Sequence, residues 1–597
     1  MDKIKMQGCM LYTILHFDFL RACKWCCFML ITTMLGVEKY VNICYYYHKE
    51  EKTCDAYIII CAEECMDKLK RKIRTLSRLV FGRTAILLLS VFLQLLMILI
   101  GVNFLYRYFA LYYTAFVLVG LVVVVHILNE NNNASYKMAW IIPVLAFPVF
   151  GIVVYLFVNF QVDTKIMRKR LDKINDQLYN HIRKENNYYN RLEKEPDGEL
   201  NLAKYLYNTG SFRAYYDNEC EFFPLGEDKW EEMLKQLKRA QHFIFMEYFI
   251  VADGVMWDSI VDILAEKAAQ GVEVRFMYDG MNSLVNVPFS FYKKLGKNGI
   301  DARPFSQIRP ALSTVQNNRD HRKILVIDGK VAFTGGINLA DEYVNKYERF
   351  GHWKDTAIMV KGDAVKSFTY MFLTLWNIAG KRNYVPEEEL DKYIIGCKIT
   401  DCLFDCDKDN DKIRSGGYVI PYGDSPFADE RIGKQVYIDI LNRANKYVHI
   451  MTPYLILDDD VIRALSYAAL RGVDTTIIMP HIPDKKYAYF LARSYYKELL
   501  LKGVKIYEYT PGFVHAKEFV SDGIRGTVGS INLDYRSLYL HFECGMYIYN
   551  NECLKDIEKD YIDTLAKCQE ITIEDCDRYP GRKKMIGKVL RLISPLM

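Results

Sequence analysis

Two pairs of histidine and lysine, 194 residues apart in the 597-residue sequence, have the residue types and spacing for nucleophilic and acid–base chemistry. Each pair opens a segment of the form H-x-K-x-x-x-x-D-G, with His321, Lys323, Asp328 and Gly329 in the first and His515, Lys517, Asp522 and Gly523 in the second. A further match, G-x-I-N-L, starts fourteen residues after each histidine, at Gly335 and Gly529. The repeated spacing indicates a duplicated half-site.

The paired residues suit attack on a phosphodiester. Side chains two residues apart on an extended strand point to the same face, so each histidine and its lysine would line one pocket. An imidazole is nucleophilic near neutral pH and can also donate a proton, while lysine supplies the positive charge that a crowded phosphate transition state requires. The two half-sites therefore predict phosphodiester transfer through a histidine, with no metal and no cofactor.

Five other polar residues of these segments have predicted roles beside the histidines. Asn338, Ser530 and Asn532 carry groups that can donate hydrogen bonds to the non-bridging oxygens of a substrate phosphate. Asp328 and Asp522 can accept a proton from an imidazole, so we predict that they fix the tautomer of a histidine and stabilise its charged form.

The segments lie within an alternation of strands and helices. The first half predicts helices at 231–241 and 259–270 and strands at 242–250 and 272–277, and the second half predicts strands at 447–452 and 473–479 and a helix at 460–470. This order predicts an α/β fold with a mixed or parallel sheet, present in two copies. Glu247 and Glu543 fall near the predicted pocket strands, where each would either orient a catalytic group or serve a structural role.

Three apolar stretches precede these domains, at 84–103, 109–128 and 139–158, and none contains Asp, Glu, Lys or Arg. Each is close to the roughly 20 residues that a helix needs to cross a bilayer, so the N-terminal part is predicted to be a helical membrane region. The third contains Pro143 and Pro148, which favour a re-entrant or interfacial hairpin. Basic flanks at 68–83 and 165–173 agree with two crossings and one such hairpin.

Composition supports a membrane part joined to a globular part. Hydrophobic residues make up 51% of the chain while the mean hydropathy is −0.05, and the net charge of +5 gives no general basic field for nucleic acid. Cysteines crowd the first 65 residues and are sparse elsewhere, which is typical of reduced thiols. The expected layout is an atypical extension at 1–65, with Met66 as the native start, a membrane region at 66–160, a linker at 161–200, catalytic domains at 201–385 and 418–597, and a charged insertion at 386–417.

The repeated segment resembles the HKD signature of the phospholipase D superfamily, and the residues around it look like those of cardiolipin synthases. These flanking segments are 317–320 (NNRD), 351–355 (GHWKD), 423–426 (GDSP), 452–454 (TPY) and 532–543 (NLDYRSLYLHFE). The resemblance runs from about residue 68 to the C-terminus. It implies duplicated phospholipase D-like domains in a multi-pass bacterial membrane protein, with the catalytic domains facing the cytoplasm.

By that resemblance, His321 attacks the phosphorus of a phosphatidylglycerol and His515 protonates the departing glycerol, leaving a phosphatidyl-histidine. A second phosphatidylglycerol then attacks, with His515 as base, to give cardiolipin. The pseudo-symmetry leaves the reverse assignment open, and phosphatidylethanolamine remains possible as a donor.

Other functions remain open at this stage. The first is hydrolysis by a phospholipase D or a nuclease of the same superfamily, and the second, of a different class, is a non-catalytic membrane scaffold. The basic tail at 578–597 suits an anionic bilayer surface, so anionic membrane lipids are expected partners. Nucleic acid is not expected as a partner. The oligomeric state is open, because both half-sites are on one chain.

Overall fold

The computed structural model divides the chain into two compact units, Met1–Leu105 with Pro310–Leu312, and Tyr106–Arg309 with Ser313–Met597. The residues it describes are 92–97, 99–100, 108–130, 133–159, 162–183, 199–216, 218–281, 286–306, 318–380, 389–394 and 416–596. In the first unit, 92–97 and 99–100 are helical, so most of the predicted segment 84–103 and all of the extension 1–65 lie outside the described residues. All other described residues belong to the second unit.

The second unit begins with apolar helices. Helix α1 (Phe109–Asn129) contains the one stretch of the described residues that is long and apolar enough to cross a membrane, Ala110–Asn129, with a mean hydropathy of 2.4. The next apolar stretch is divided at Phe147, because Pro148 follows it and disfavours a helical residue before it. The elements of this part are α2 (Ala134–Ala146), α3 (Pro148–Asn159), α4 (Val162–Arg183), α5 (Glu199–Gly210) and the short strand β1 (Tyr215–Tyr216).

Helices α1, α2 and α3 pack on one another around Val144, Ile127 and Tyr155. At 13 and 12 residues, α2 and α3 are each too short to cross a bilayer at about 1.5 Å per residue. The stretch 139–158 is thus a pair of packed short helices. Its placement as a re-entrant or interfacial hairpin stays a prediction.

The first lobe is a seven-stranded mixed sheet in the order β2-β9-β7-β6-β3-β4-β5. Strand β3 (FIFMEY) is buried along its whole length, as expected for a central strand covered on both faces. The parallel strands β4 and β5 follow in turn through the crossover helices α7 and α8, with β4 beside β3 and β5 beside β4. The elements are β2 (Glu219–Phe223), α6 (Gly226–Arg239), β3 (Phe243–Tyr248), α7 (Val255–Ala269), β4 (Glu273–Asp279), α8 (Phe291–Lys297), β5 (Asp301–Phe305), β6 (Ile324–Ile327), β7 (Val331–Gly335), β8 (His352–Lys354) and β9 (Ala357–Lys361).

Helix α9 (Val365–Ala379) joins the lobes and contacts both sheets. It is buried at every position from Ser367 to Ile378, and Trp376 has no exposed surface. A helix that is covered all round belongs to a shared core, so the two lobes form one folded body. Within the predicted insertion, α10 (Asp391–Ile394) is described and 395–415 lie outside the described residues.

The second lobe repeats the strand order of the first. Its sheet runs β1-β10-β17-β16-β15-β11-β12-β13-β18. The seven inner strands of this order match the seven strands of the first lobe one for one, and β1 and β18 are added at the edges. The predicted α/β fold with duplicated domains is confirmed. The elements are β10 (Tyr418–Asp424), α11 (Ile432–Arg443), β11 (Tyr447–Met451), α12 (Asp459–Leu470), β12 (Asp474–Pro480), α13 (Lys486–Leu500), β13 (Lys505–Tyr509), β14 (Gly512–Val514), β15 (Glu518–Ser521), β16 (Arg525–Gly529), β17 (Glu543–Tyr549), α14 (Cys553–Leu565), β18 (Cys568–Ile571), α15 (Ile573–Arg578) and α16 (Gly581–Ile593).

Candidate active site

The two repeated segments meet where the lobes touch, and each is held by the other lobe. The backbone N–H of His321 donates to the carbonyl of Phe542 at 2.9 Å, and that of His515 donates to the carbonyl of Lys354 at 2.6 Å. In the second case the strands β8 and β14 form a parallel two-stranded ladder between the lobes. The histidine of each motif is therefore anchored by the opposite half of the molecule.

A buried carboxylate holds each imidazole by its Nδ1 atom. Glu543 Oε2 lies 3.0 Å from Nδ1 of His321, and Asp355 Oδ2 lies 2.6 Å from Nδ1 of His515. Both acids have no exposed surface. A carboxylate at this distance accepts a hydrogen bond from Nδ1–H, which leaves the lone pair of the neutral ring on Nε2. Each acid directly follows the residue whose carbonyl anchors the histidine.

The predicted role of Asp328 and Asp522 is wrong. The carboxylate of Asp328 accepts the backbone N–H groups of three residues before β3 and at its start, and that of Asp522 does the same before β11, in each case at 2.7–3.0 Å. The backbone of both is left-handed, with φ of 53° and 58°, and the next residue is a glycine at 66° or 68°. Each Asp-Gly pair thus occupies the first two positions of the three-residue loop of a β-hairpin, β6–β7 or β15–β16, and its aspartate ties the hairpin to the neighbouring strand.

Two of the three predicted phosphate ligands are engaged elsewhere. The hydroxyl of Ser530 donates to Glu543 Oε2 at 2.5 Å, and the amide nitrogen of Asn532 donates to Ser537 Oγ at 3.0 Å. The single O–H of Ser530 is thereby used to orient the acid, whereas the Asn532 amide keeps a second N–H, so phosphate binding by Asn532 remains a prediction. Asn338 accepts the N–H of Ile250 with its amide oxygen, and its buried amide nitrogen makes no complete hydrogen bond within the described residues. Phosphate binding by Asn338 remains a prediction.

The two motif lysines are almost completely buried at the centre of the site. Lys323 Nζ donates to the carbonyl oxygen of its own histidine at 2.6 Å, and Lys517 makes the same contact and lies 2.8 Å from Nδ1 of His515. Burial lowers the pKa of Lys323 to about 8 and that of Lys517 to about 7. A buried phosphate between them would favour the protonated form of both.

Burial also keeps the histidines neutral. It lowers the pKa of His321 well below the usual range, helped by the charges of Lys323 and Lys517, among others. For His515, burial and then the charge of Lys517 lower the pKa to about 4. The charges of Lys517 and His515, from the second lobe, contribute to the lowered pKa of His321 in the first, so the two half-sites lie close enough to affect each other. Both motif imidazoles are therefore neutral near pH 7.

A third histidine, which the sequence did not single out, lies beside the first. The rings of His541 and His321 are 5.5 Å apart, and Phe249 packs on both. Arg536 Nε donates to Nε2 of His541 at 3.3 Å, so neutral His541 carries its proton on Nδ1, which lies 3.7 Å from Glu543 Oε1. Only its position in the sequence could have indicated this residue, because the residue two positions before each orienting acid packs on the ring of a motif histidine. In the other half that residue is Trp353, 5.4 Å from His515.

The side chains of His321, His541 and Glu543 are the one group among the described residues with the geometry of a metal site. One ligand atom each from His321, His541 and Glu543 lies within 4.8 Å of the others. A cation there would share the pocket with Lys323 and Arg536, whose charges already lower the pKa of His541. Glu543 and His321 moreover bond to each other. The residues suit an anion better than a cation, so no step of the chemistry below is routed through a metal.

A two-lobed α/β body that pairs one histidine and one lysine from each lobe at the interface is the architecture of the phospholipase D superfamily. The comparison with protein families agrees. The family described as "Cardiolipin synthase, PLD-like domain" matches residues 233–376 and 437–564, and the family described as "Phospholipase_D-nuclease N-terminal" matches residues 118–158.

Similar bacterial proteins indicate which family of this superfamily the chain belongs to. A cardiolipin synthase 2 of Bacillus anthracis is 33% identical over 78% of this chain and 88% of its own length, and a cardiolipin synthase of a Geobacillus species is 31% identical over 78% and 90%. An uncharacterized protein of Streptococcus mutans is 46% identical over 79% of this chain and 99% of its own length. The chain belongs to the cardiolipin synthase family, and it is a phosphatidyltransferase.

Proposed function

We propose that this enzyme makes cardiolipin and glycerol from two molecules of phosphatidylglycerol, through a phosphatidyl-histidine on His321. The observation that carries the proposal is the pair of imidazoles, each with Nδ1 held by its own buried acid. One such imidazole can serve as nucleophile while the other serves as acid and then as base. The reaction exchanges one phosphodiester for another, so it calls for no nucleotide.

In the first step, Nε2 of His321 attacks phosphorus and the bond from phosphorus to the glycerol oxygen breaks. His515 Nε2 gives its proton to that oxygen, and glycerol leaves. The positive charge that develops on the ring of His321 is balanced by Glu543 at Nδ1, while Lys323 and Lys517 balance the phosphate oxygens. Burial and the charge of Lys517 lower the pKa of His515 to about 4, and the negative charge of a bound phosphodiester would raise that pKa so that the ring can hold the proton it donates.

In the second step, the terminal hydroxyl of another phosphatidylglycerol gives its proton to His515 Nε2, and its oxygen attacks phosphorus. The bond from phosphorus to His321 breaks and cardiolipin leaves, with both histidines restored. The assignment of His321 as nucleophile is supported by the difference between the halves. His541 places a second imidazole 3.7 Å from Glu543 Oε1, whereas the corresponding Trp353 offers only an indole N–H that makes no hydrogen bond within the described residues.

We also propose that the protein is a multi-pass membrane protein with its catalytic lobes on the cytoplasmic face. Helix α1 and the packed pair α2 and α3 support this, as does the basic composition of 165–173 directly after them. Phosphatidylglycerol is a lipid of the same bilayer, so donor and acceptor both reach the site from the membrane.

The test is to incubate detergent-purified enzyme with labelled phosphatidylglycerol in mixed micelles and to identify the lipid products by mass spectrometry. Cardiolipin with equimolar glycerol is expected, and His321→Ala and His515→Ala should each abolish it. His242→Ala is the matched control, because that side chain is exposed outside the site. Phosphatidic acid as the only product would make the enzyme a hydrolase, and turnover of phosphatidylethanolamine would extend the donor class.

A further inference from the structure

The last helix, α16, presents an apolar face that the described part of the chain leaves open. Five large apolar side chains of this helix are 44–62% exposed: Met585, Ile586, Val589, Leu592 and Ile593. At about 100° per residue these five fall on one side of the helix. The opposite side packs on α13, where Gly587 lies so close to the Phe490 carbonyl that an added Cβ would be 2.3 Å from it. The helix is therefore fixed on the second lobe with its apolar side outward.

Positive charge borders this face, and no acid occurs from residue 578 to the C-terminus. Arg582 and Lys588 are exposed and form no ion pair with any described residue, whereas Arg591, nearer the lobe, pairs with Glu498 at 2.9 Å. An interface with another protein is usually depleted of lysine. Apolar side chains framed by unpaired cations instead match the acyl chains and phosphates of an anionic bilayer.

The face continues onto the apolar N-terminal helices. Helix α16 and the 3₁₀ turn after it, Ser594–Leu596, pack against α2, whose own exposed residues include Met138, Ile142 and Leu145. Exposed apolar surface of this extent is unusual on a soluble face. Two elements from opposite ends of the chain therefore expose apolar residues side by side.

We propose that α16 lies flat on an anionic bilayer, with Val589 and Leu592 among the acyl chains and Arg582 and Lys588 at the level of the lipid phosphates. This surface is close to the active site. Asn133, at the start of α2, donates to the Tyr539 hydroxyl at 3.1 Å, and Tyr539 belongs to the π-helical turn that carries Arg536, the partner of His541. The docked helix would hold the entrance of the site at the headgroup layer.

The experiment measures whether α16 contacts lipid and does not measure enzyme activity, so it does not depend on the proposed reaction. The photoreactive residue p-benzoylphenylalanine is placed at position 589 of the full chain, which is reconstituted in phosphatidylcholine vesicles with about one third radiolabelled phosphatidylserine. The matched control places it at Ile562, which is 47% exposed on α14 among acidic neighbours. After illumination, label on the protein counts the lipid adducts.

We expect at least tenfold more lipid adduct at position 589 than at 562, and a several-fold loss when Lys588→Glu is added. Equal labelling at the two positions, or a protein–protein adduct at 589 in place of a lipid adduct, would overturn the proposal. A variant at Leu592 gives a second reading, because its side chain is equally exposed and its replacement leaves the packing on α13 untouched.

Discussion

At the scale of single residues, the two halves of the site are alike in what holds each histidine and unlike in what packs on it. Glu543 and Asp355 each accept a hydrogen bond from Nδ1 of a motif histidine, which leaves Nε2 of both rings free of these acids. His541 and Trp353 occupy the same position relative to these acids. This difference supports the proposal that one half acts as nucleophile and the other as acid and base.

Removing the negative charge of either orienting acid is expected to lower kcat by about 100-fold or more, because the imidazole loses the partner that selects its tautomer and stabilises its charged form. Glu543→Gln and Asp355→Asn keep the size of each side chain. The control is Asp328→Asn, a motif residue whose carboxylate contacts backbone only. If Asp328→Asn lost as much activity as Glu543→Gln at equal thermal stability, the corrected role of Asp328 would be wrong.

His541 is expected to act through Glu543. The Nδ1 atom lies 3.7 Å from Oε1 of that acid, which is a charge contact longer than a hydrogen bond, and the amide of an asparagine can present a donor at nearly the same place. We expect His541→Phe to lower kcat by about 10-fold, or about 1.4 kcal/mol, and His541→Asn to retain most of it, because only the asparagine keeps a polar group beside Glu543. Equal loss in both variants, with no change in the pH profile, would show that only the packing of the ring matters.

The lysines predict the alkaline limb of the pH profile. Burial lowers the pKa of Lys517 to about 7 and that of Lys323 to about 8, so the free enzyme loses positive charge as the pH rises through this range. We expect kcat/KM for phosphatidylglycerol to fall there, and Lys517→Arg, which stays charged, to move the fall to higher pH whatever its overall activity. A profile that is flat from pH 6 to about 9 would contradict this account.

At the scale of elements, the motif hairpins explain why the aspartate and glycine of each segment recur together. Both turns need left-handed backbone, and both aspartates bind three backbone N–H groups of the adjacent strand. The spacing from histidine to aspartate that the two halves share is thus the length of strand β6 or β15 and not a catalytic distance.

The two turn glycines form a matched pair for a stability test. An added Cβ at Gly523 would have its nearest neighbour 3.7 Å away, at the Tyr447 hydroxyl, so Gly523→Ala should cost only the strain of the left-handed backbone, about 1 kcal/mol. At Gly329 the Tyr393 carbonyl is 3.0 Å away, and Gly329→Ala should cost more. Thermal unfolding in detergent measures both, and a larger loss for Gly523→Ala would contradict the turn geometry.

Many of the strands and helices could be predicted from the sequence. The predicted strands at 242–250 and 447–452 correspond to β3 and β11, and the predicted helix at 460–470 corresponds to α12, because apolar runs and helical spacing are local signals. The division of the third apolar stretch at Phe147 was signalled only by its prolines. The partners of the histidines were harder to predict, since Asp355 and Glu543 come from the opposite lobe and no local pattern records that pairing.

At the scale of the whole molecule, duplication makes the site. Each lobe supplies the histidine of one half and the acid of the other, so neither lobe holds a complete half-site. The buried helix α9 and the ladder of β8 with β14 fix the lobes together, which fixes the positions of the two motif histidines relative to each other. The sequence repeat predicted that the motifs converge, but this exchange of acids between lobes is visible only in the folded chain.

The central claim is that a phosphatidyl group is held on His321 during turnover. The most direct measurement is to mix the enzyme with phosphatidylglycerol, quench within one turnover, digest the protein and search by mass spectrometry for a phosphatidyl adduct on a histidine. We predict an acid-labile adduct on the peptide that contains His321, increased in His515→Ala if glycerol release still proceeds and the second step is slowed. An adduct confined to His515, or cardiolipin formation with no histidine adduct at any time, would contradict the account.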